Sequence, residues 1–142
     1  PLRDVYKRQA LYDAGFRSGI ILARNAITGR ALAETHGYRW QTELGETRPE
    51  LLINATPIGM AGGPAADTLA FEPAIVNAAV AVFDVVALPP ETPLVHFARS
   101  QQKPVITGAE VIALQAAEQF VLYTGARPSE EQIRRASEYA RA

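Results

Sequence analysis

The feature that most constrains this chain is an apolar run, Leu51 to Ile53, that passes directly into Asn54-Ala55-Thr56-Pro57. An apolar run that ends in polar turn residues indicates a buried strand followed by a tight loop. In open α/β sheets, ligands bind just beyond the carboxyl ends of the strands. The loop that follows this strand is therefore a candidate ligand site.

The rest of the chain alternates short apolar segments with segments of helical character. Strands are predicted at residues 19–23, 38–40, 49–53, 79–86 and 104–106, and helices at 28–35, 92–102, 110–124 and from 129 onward. Thr92-Pro93 and the pair Ser129 and Gln132 are typical helix starts, and Gly125 is a typical helix end. The strand at 19–23 is expected to be buried on both faces. This alternation predicts a doubly wound parallel α/β sheet of the Rossmann type, with helices on both faces.

Composition and charge exclude several classes of protein. A length of 142 residues allows one domain, and a net charge of −1 provides no electrostatic footprint for nucleic acid. The chain has no cysteine and only two histidines, His36 and His96, so we expect no metal site. No apolar run approaches the roughly 20 residues of a membrane span, and no signal peptide is visible. We therefore expect no membrane partner and a cytoplasmic location.

The N-terminal region predicts that the chain is a fragment. Residues 1–9 (PLRDVYKRQ) carry four charges without periodicity and are interpreted as a non-native leader, with a frayed helical turn as the alternative. A dinucleotide-binding fold places Gly-x-Gly-x-x-Gly between its first strand and first helix, and nothing similar precedes Ala10. Residues 10–142 are thus predicted to be an incomplete dinucleotide-binding domain.

The end of the strand at 19–23 indicates which nucleotide such a domain would bind. At this position an acidic residue binds the ribose 2′-hydroxyl of NAD, whereas an arginine accommodates the 2′-phosphate of NADP. Here the strand ends in Ala23-Arg24-Asn25, without an acid. The guanidinium of Arg24 suits phosphate, and Asn25 adds amide donors. The alternative is a solvated arginine at a strand end.

Three segments together resemble the shikimate dehydrogenase family. The first is Asn-Ala-Thr-Pro-x-Gly-Met at residues 54–60. The second, at 82–94, is similar to the family pattern Asp-x-x-Tyr-x-Pro-x-x-Thr-Pro-Leu. The third is the glycine turn and following helix at 107–120, with a glutamine seven residues after the glycine. The resemblance covers roughly residues 10–142 and implies NADP as the cofactor.

The resemblance also implies roles for individual residues. The loop from Ala23 to Thr28 would hold the adenosine ribose and its 2′-phosphate, and the turn after residue 53 would lie beside the nicotinamide ribose. Val85 would cover the nicotinamide, Gly108 would approach its amide, and Gln115 would reach the substrate hydroxyls. The implied cofactor-binding residues are Ala23, Arg24, Asn25, Thr28, Asn54, Ala55, Thr56, Val85 and Gly108, and the implied substrate-binding residue is Gln115. Each has a structural alternative: Asn54 could tie a turn, Asp84 could cap a strand end, and Gln115 could be a polar helix residue.

Departures from the family pattern affect the substrate and the chemistry. The family tyrosine is replaced by Ala87, and a family methionine by Val111. In the family, an N-terminal substrate domain supplies a lysine and an aspartate for proton transfer; this domain is expected to be absent, and no catalytic residue is assigned. The last helix, 129–142, would pack on that domain through Ile133, Ala136 and Ala140, which here would be exposed or would form a homodimer.

The resulting prediction is the NADP-binding part of an oxidoreductase that moves hydride between NADP(H) and 3-dehydroshikimate/shikimate or a related hydroxy acid. The fragment alone would be inactive. Three alternatives stay open: a non-catalytic nucleotide-binding or regulatory module, a structural fragment without a ligand, and a folate-linked dehydrogenase of similar domain plan.

Overall fold

The computed structural model describes residues 11–35 and 37–140, which form two compact units, one up to Arg48 and one from Pro49. The proposed leader at residues 1–9 and His36 lie outside the described residues. Each unit contains parallel strands flanked by helices. This architecture confirms the predicted Rossmann-type α/β class.

The first unit is a strand–helix–strand motif. Strand β1 (Ile20–Leu22) and strand β2 (Arg39–Gln41) pair in parallel, and helix α1 (Ala26–Glu34) connects them. The prediction that β1 is buried on both faces was wrong, because Leu22 is 40% exposed. Helix α1 packs on both strands of this unit, and Leu22 at the end of β1 remains open to solvent.

The packing of α1 on β2 depends on a glycine. A Cβ atom on Gly29 would overlap the indole of Trp40, so only glycine allows this close approach of helix and ring. The Arg30 guanidinium lies over the same ring, 4.8 Å from its centroid, in a cation–π contact. The indole is thereby held between the helix and the loop that follows β1.

The second unit contains a three-stranded parallel sheet. Its strands are β3 (Leu51–Asn54), β4 (Ala81–Asp84) and β5 (Val105–Thr107), in the spatial order β3-β4-β5. Its helices are α2 (Pro73–Ala78), α3 (Pro93–Ser100), α4 (Gly108–Thr124) and α5 (Glu130–Tyr139). Each crossover between neighbouring strands carries one helix, as parallel pairing requires.

The core of this unit lies between the sheet and helices α2 and α3. Its buried members are at most 3% exposed and come from β3, β4, the two helices and the residue after α2: Leu52, Val76, Ala79, Val82, Leu94 and Ala98. Helix α2 was not predicted, because its six residues are too short to show a 3.6-residue period. The signal that could have found it is Pro73 at the first helical position.

The helix termini predicted from capping residues at Thr92, Ser129 and Gly125 are confirmed, whereas the first helix begins at Ala26 and the long helix at Gly108, two residues before their predicted starts. The Thr92 side chain accepts a hydrogen bond from the Val95 amide at 3.2 Å, and Ser129 and Gln132 form a reciprocal capping box. Gly125 ends α4 in the left-handed region, with φ of 70°. These ends follow from local side-chain chemistry, which explains why short sequence patterns located them.

A strained residue, Gln102, follows the end of helix α3. Gln102 has φ of 56°, and the amide of Lys103 after it donates to the carbonyl of Ala98 at 3.0 Å. A side chain in this left-handed region costs about 1–2 kcal/mol, more than the chain entropy of about 0.5–1 kcal/mol that glycine loses.

We therefore expect Gln102→Gly to raise the free energy of unfolding by roughly 0.5 kcal/mol, measured by urea denaturation. Gln101→Gly is the matched control, because Gln101 has φ of −92° and is not strained. The control should be neutral or destabilising. Equal effects of the two substitutions would contradict the assignment of strain to Gln102.

Candidate functional site

The carboxyl edge of the three-stranded sheet brings three polar side chains together. The strand register places Asn54 beside Asp84 and Asp84 beside Thr107, each as the last residue of its strand. Their exposed fractions are 2%, 0% and 3%. An unpaired polar group at this depth costs about 1–3 kcal/mol, so the edge needs an internal hydrogen-bond network.

Asp84 lies at the centre of this network. One carboxylate oxygen, Oδ1, accepts hydrogen bonds from the Asn54 side-chain amide at 3.1 Å and from the Val86 backbone amide at 3.0 Å. The other, Oδ2, accepts a 2.6 Å hydrogen bond from the Thr92 hydroxyl. The side chain thus ties the loop after β3, the loop after β4 and the start of α3, in agreement with the structural role expected for it.

Asn54 uses its whole hydrogen-bonding capacity inside the protein. Its Nδ2 donates to Asp84 and to the Ile58 carbonyl at 3.1 Å. Its Oδ1 accepts from the Thr56 amide at 3.1 Å and from the Thr56 hydroxyl at 2.7 Å. Two donors and two acceptors are all that an amide side chain offers. Asn54 therefore shapes the turn, which presents the exposed residues Ala55 and Thr56.

Val85 and Gly108 lie next to the same turn. The Val85 amide donates to the Asn54 carbonyl at 3.0 Å. A Cβ atom on Gly108 would lie only 2.5 Å from the carbonyl oxygens of Val85 and Val86. Glycine is therefore required where α4 begins, and the structure brings together the residues predicted for the nicotinamide side.

The residues predicted for the phosphate side lie together in the first unit, in the loop after β1. The Ala23 carbonyl accepts a hydrogen bond from the Trp40 indole at 3.0 Å, and the Ala23 amide donates to Gln41 at 3.1 Å. The Asn25 side chain accepts from the Thr28 amide at 3.1 Å and so caps α1. These contacts give the loop a defined shape within its unit.

Arg24 is the free cation of this loop. Its side chain is exposed, and it has no hydrogen bond or ion pair to any residue that the structure describes. Asn25, in contrast, has its carbonyl oxygen committed to the helix cap, so only its amide hydrogens can face a ligand.

Gln115 lies on the exposed surface of α4. It lines a shallow depression of about 520 Å³ whose other residues are Val111, Leu114, Glu118, Gln119 and Leu122. Nothing in this depression holds the Gln115 amide in one orientation. The predicted contact with a substrate stays a prediction.

A larger groove of about 810 Å³ lies between α4 and α5. Ile133 and Ala136 of α5 and Ala140 just after it line the groove, opposite residues of α4 that include Ala113 and Phe120. The expectation that the apolar side of the last helix would be exposed or paired with a second copy is met as exposure for Ala136 and Ala140, whereas Ile133 is half-buried, and pairing stays a prediction. This side faces α4 of the same chain, because the two helices are consecutive and Gly125 turns the chain back between them.

An ion pair stands at one end of these helices. The Arg127 guanidinium donates to both carboxylate oxygens of Glu118, at 2.7 and 3.1 Å, and this contact lowers the pKa of Glu118 below its usual range. Both side chains are more than 60% exposed, so the pair contributes little to the free energy of unfolding.

The described residues offer neither a metal cluster nor a membrane-spanning helix. They contain no group of three or more histidine, cysteine, aspartate or glutamate side chains that could hold a metal ion. No helix in this part of the chain is both long and apolar enough to cross a membrane.

Two side-chain contacts near this edge were not predicted. The Thr107 side chain caps α4 and forms a capping box with Glu110, a pattern that the spacing Thr-x-x-Glu could have revealed. The hydrogen bond from Thr92 to Asp84 has no such signal, because it depends on how α3 packs on β4.

Comparisons with known proteins give a consistent result. The chain is 46% identical to a shikimate dehydrogenase-like protein of Haemophilus influenzae over 132 residues, which are 93% of this chain and 49% of that protein. The solved structure of a shikimate 5-dehydrogenase-like protein matches with a TM-score of 0.89 at 45% identity, over 92% of this chain and 48% of the other. Shikimate 5-dehydrogenase of Thermus thermophilus, solved in complex with NADP(H) and shikimate, matches with a TM-score of 0.74 at 28% identity, over 92% and 49%.

The chain therefore spans about half the length of these relatives. No protein-family profile matches it.

The Asn54 network predicts a strong effect of a small change. Asn54→Asp replaces two buried donors with acceptors that face the Asp84 carboxylate and the Ile58 carbonyl. We expect it to lower the free energy of unfolding by about 3 kcal/mol or more, since each buried group left unpaired costs about 1–3 kcal/mol. Urea denaturation measures this loss.

Asn25→Asp is the matched control for this substitution. Aspartate caps a helix as well as asparagine does, and Asn25 is exposed, so the control should change stability by less than about 0.5 kcal/mol. If Asn54→Asp is tolerated as well as the control, Asn54 does not organise the turn.

Proposed function

We propose that this chain, whose sequence and fold resemble those of shikimate dehydrogenases, is the NADP(H)-binding part of an oxidoreductase. The reaction would transfer hydride between NADP(H) and 3-dehydroshikimate/shikimate or a related hydroxy acid. The observation that carries this proposal is the cluster of Asn54, Val85 and Gly108 at the carboxyl edge of a parallel sheet. In this class of fold, that edge is where ligands bind.

The nicotinamide end of the cofactor would lie along this edge. The turn presents Ala55 and Thr56 to solvent, and the close approach of Gly108 to Val85 leaves no side chain between the loop after β4 and the start of α4. This packing fixes the backbone that would face the ring. When bound, the cofactor supplies the hydride chemistry, and the protein orients it.

The adenosine end would lie at the loop from Ala23 to Thr28. Arg24 offers an uncommitted guanidinium, the group best suited to a phosphate, and this loop has no acidic residue to bind a free 2′-hydroxyl. The indole of Trp40 fixes the backbone of Ala23, directly before the arginine. These features support NADP(H) rather than NAD(H) as the cofactor.

The substrate contact is proposed at one residue, and the proton-transfer groups are not assigned within this chain. Gln115 is our candidate for the contact with substrate hydroxyls. Of the two lysines in the chain, Lys7 lies outside the described residues, and Lys103 donates to the Asn77 carbonyl at 2.8 Å. General acid–base catalysis needs a group within hydrogen-bond reach of the moving proton. We propose that this group belongs to a part of the protein beyond these 142 residues.

A non-catalytic nucleotide-binding module is the second candidate. It is favoured by Ala87, which stands where the family pattern has a tyrosine and lines the groove between α4 and α5 without a hydroxyl. A chain that binds NADPH but supports no turnover in its full-length context would fit this candidate. The cytoplasmic location and the homodimer stay predictions.

Arg24→Ala tests the phosphate site. We expect it to weaken NADPH binding by about 10- to 100-fold, since a hydrogen bond to a charged group contributes about 1.5–3 kcal/mol. NADH binding should change by less than twofold, because NADH lacks the 2′-phosphate. The measurement is a titration of nicotinamide fluorescence with each cofactor.

Arg135→Ala is the control, because it removes an exposed arginine from α5 in the other unit. It should leave the affinity for both cofactors unchanged. Equal affinity of Arg24→Ala and the parent chain for NADPH would remove the basis for NADP specificity.

The 142-residue chain should not oxidise shikimate. The expected result is no NADPH formation with NADP and shikimate, because the proton-transfer group is proposed to lie outside these residues. An absorbance assay at the NADPH band measures this. Turnover that scales with chain concentration would show that the acid–base groups are present in this chain.

A further inference from the structure

The buried carboxylate of Asp84 sets the orientation of the side-chain hydrogen bonds in the turn after β3. A carboxylate only accepts hydrogen bonds, so the Asn54 amide must turn its Nδ2 toward Asp84. The Asn54 Oδ1 then necessarily faces Thr56, whose amide and hydroxyl both donate to it. The Thr56 hydroxyl oxygen in turn accepts from the Ile58 amide at 3.2 Å. The direction of each bond in the series follows from the one before it.

The same carboxylate also acts on the loop after β4. Its Oδ1 accepts from the Val86 amide, and this holds the backbone whose carbonyls lie against Gly108. Its Oδ2 is anchored by Thr92, the cap of α3. Both loops that we assign to the nicotinamide side are therefore oriented by one side chain that is 0% exposed and cannot itself contact a ligand.

We propose that Asp84 is a positioning residue for the nicotinamide half of the cofactor, and this inference rests on the proposed function. Asp84 holds the turn at Ala55 and Thr56 and the backbone at Val85 in the arrangement that receives the ring. The adenosine half would bind a different loop, the one after β1, which has its own supports at Trp40 and Asn25. Loss of the carboxylate should therefore weaken binding of one half of the cofactor and spare the other.

The experiment compares two ligands. NADPH carries both halves, whereas adenosine 2′,5′-bisphosphate carries the phosphorylated adenosine without nicotinamide. Asp84→Val removes both acceptors, and Asp84→Asn keeps one oxygen for Asn54 and Val86. We expect Asp84→Val to weaken NADPH binding by about tenfold, the order expected when one or two hydrogen bonds are lost. Its affinity for the bisphosphate should stay within twofold of the parent chain.

Asp84→Asn should restore NADPH affinity to within about threefold of the parent, because its remaining oxygen still accepts from Asn54 and Val86. If losing the charge only destabilised the fold, this variant would not restore NADPH binding in particular. Asp67→Val is the control, since Asp67 is an exposed aspartate of the same unit. It should change neither affinity. Calorimetry measures both ligands, and circular dichroism confirms the folded state of each variant.

Thr92 provides a second pair in case Asp84→Val does not fold. Thr92→Val removes the hydroxyl that anchors Oδ2, whereas Thr92→Ser keeps it. The valine variant should weaken NADPH binding at least threefold and spare the bisphosphate, and the serine variant should match the parent chain.

Parallel weakening of both ligands, or unchanged NADPH affinity in folded Asp84→Val, would overturn the inference while the proposed function stands. If the parent chain binds neither ligand, the proposed function fails, and this inference fails with it.

Discussion

The described structure of the second unit depends on one buried side chain with three hydrogen-bond donors around it. Asp84 is fully removed from solvent, and its oxygens accept from Asn54, Val86 and Thr92. Charge at this depth is tolerated only when it is well hydrogen-bonded, because the desolvation cost is several kcal/mol per ion. The three partners come from three different segments. Satisfying the carboxylate therefore brings these segments together at the carboxyl edge of the sheet.

This constraint explains why the candidate site is preformed. The turn after β3 does not need a ligand to define it, since Asn54 uses all four of its hydrogen-bonding positions within the protein. Because preformed loops do not have to be ordered by the ligand, the entropic cost of binding is smaller. The roles are thus divided between buried residues that shape the loops and exposed residues, such as Thr56 and Arg24, that are available to a ligand.

The similarity to known proteins and the geometry of the candidate site give different information. The relatives show which family the chain resembles, and their names and bound ligands concern those proteins, of which this chain spans about half. The geometry adds what the names cannot: Arg24 is uncommitted, Asn25 serves a helix cap, and Gly108 tolerates no side chain. It also shows that the apolar side of α5 faces α4 across a groove in which Ala136 is exposed.

The sequence by itself determined the local features. Helix starts at Thr92 and Ser129, the end at Gly125 and the α/β class all follow from patterns a few residues long, in which the interacting groups are neighbours along the chain. The sequence also predicted the candidate ligand edge, because parallel strands share one carboxyl edge. Helix α2 was not predicted, because it is too short to show a helical period. The exposure of Leu22 was not predicted either, because it depends on what covers the strand.

Only the tertiary structure decided what the polar residues do. Asn54 and Asp84 are 30 residues apart in sequence and 3.1 Å apart at their hydrogen-bonding atoms, and no local pattern contains that pairing. The sequence predicts Thr92 as a helix cap. The packing of α3 on β4 also makes it a hydrogen-bond partner of the buried Asp84 carboxylate. A short pattern records which groups can form hydrogen bonds. Which of them meet is set by strand register and by helix packing on the sheet, where long-range burial outweighs local preference.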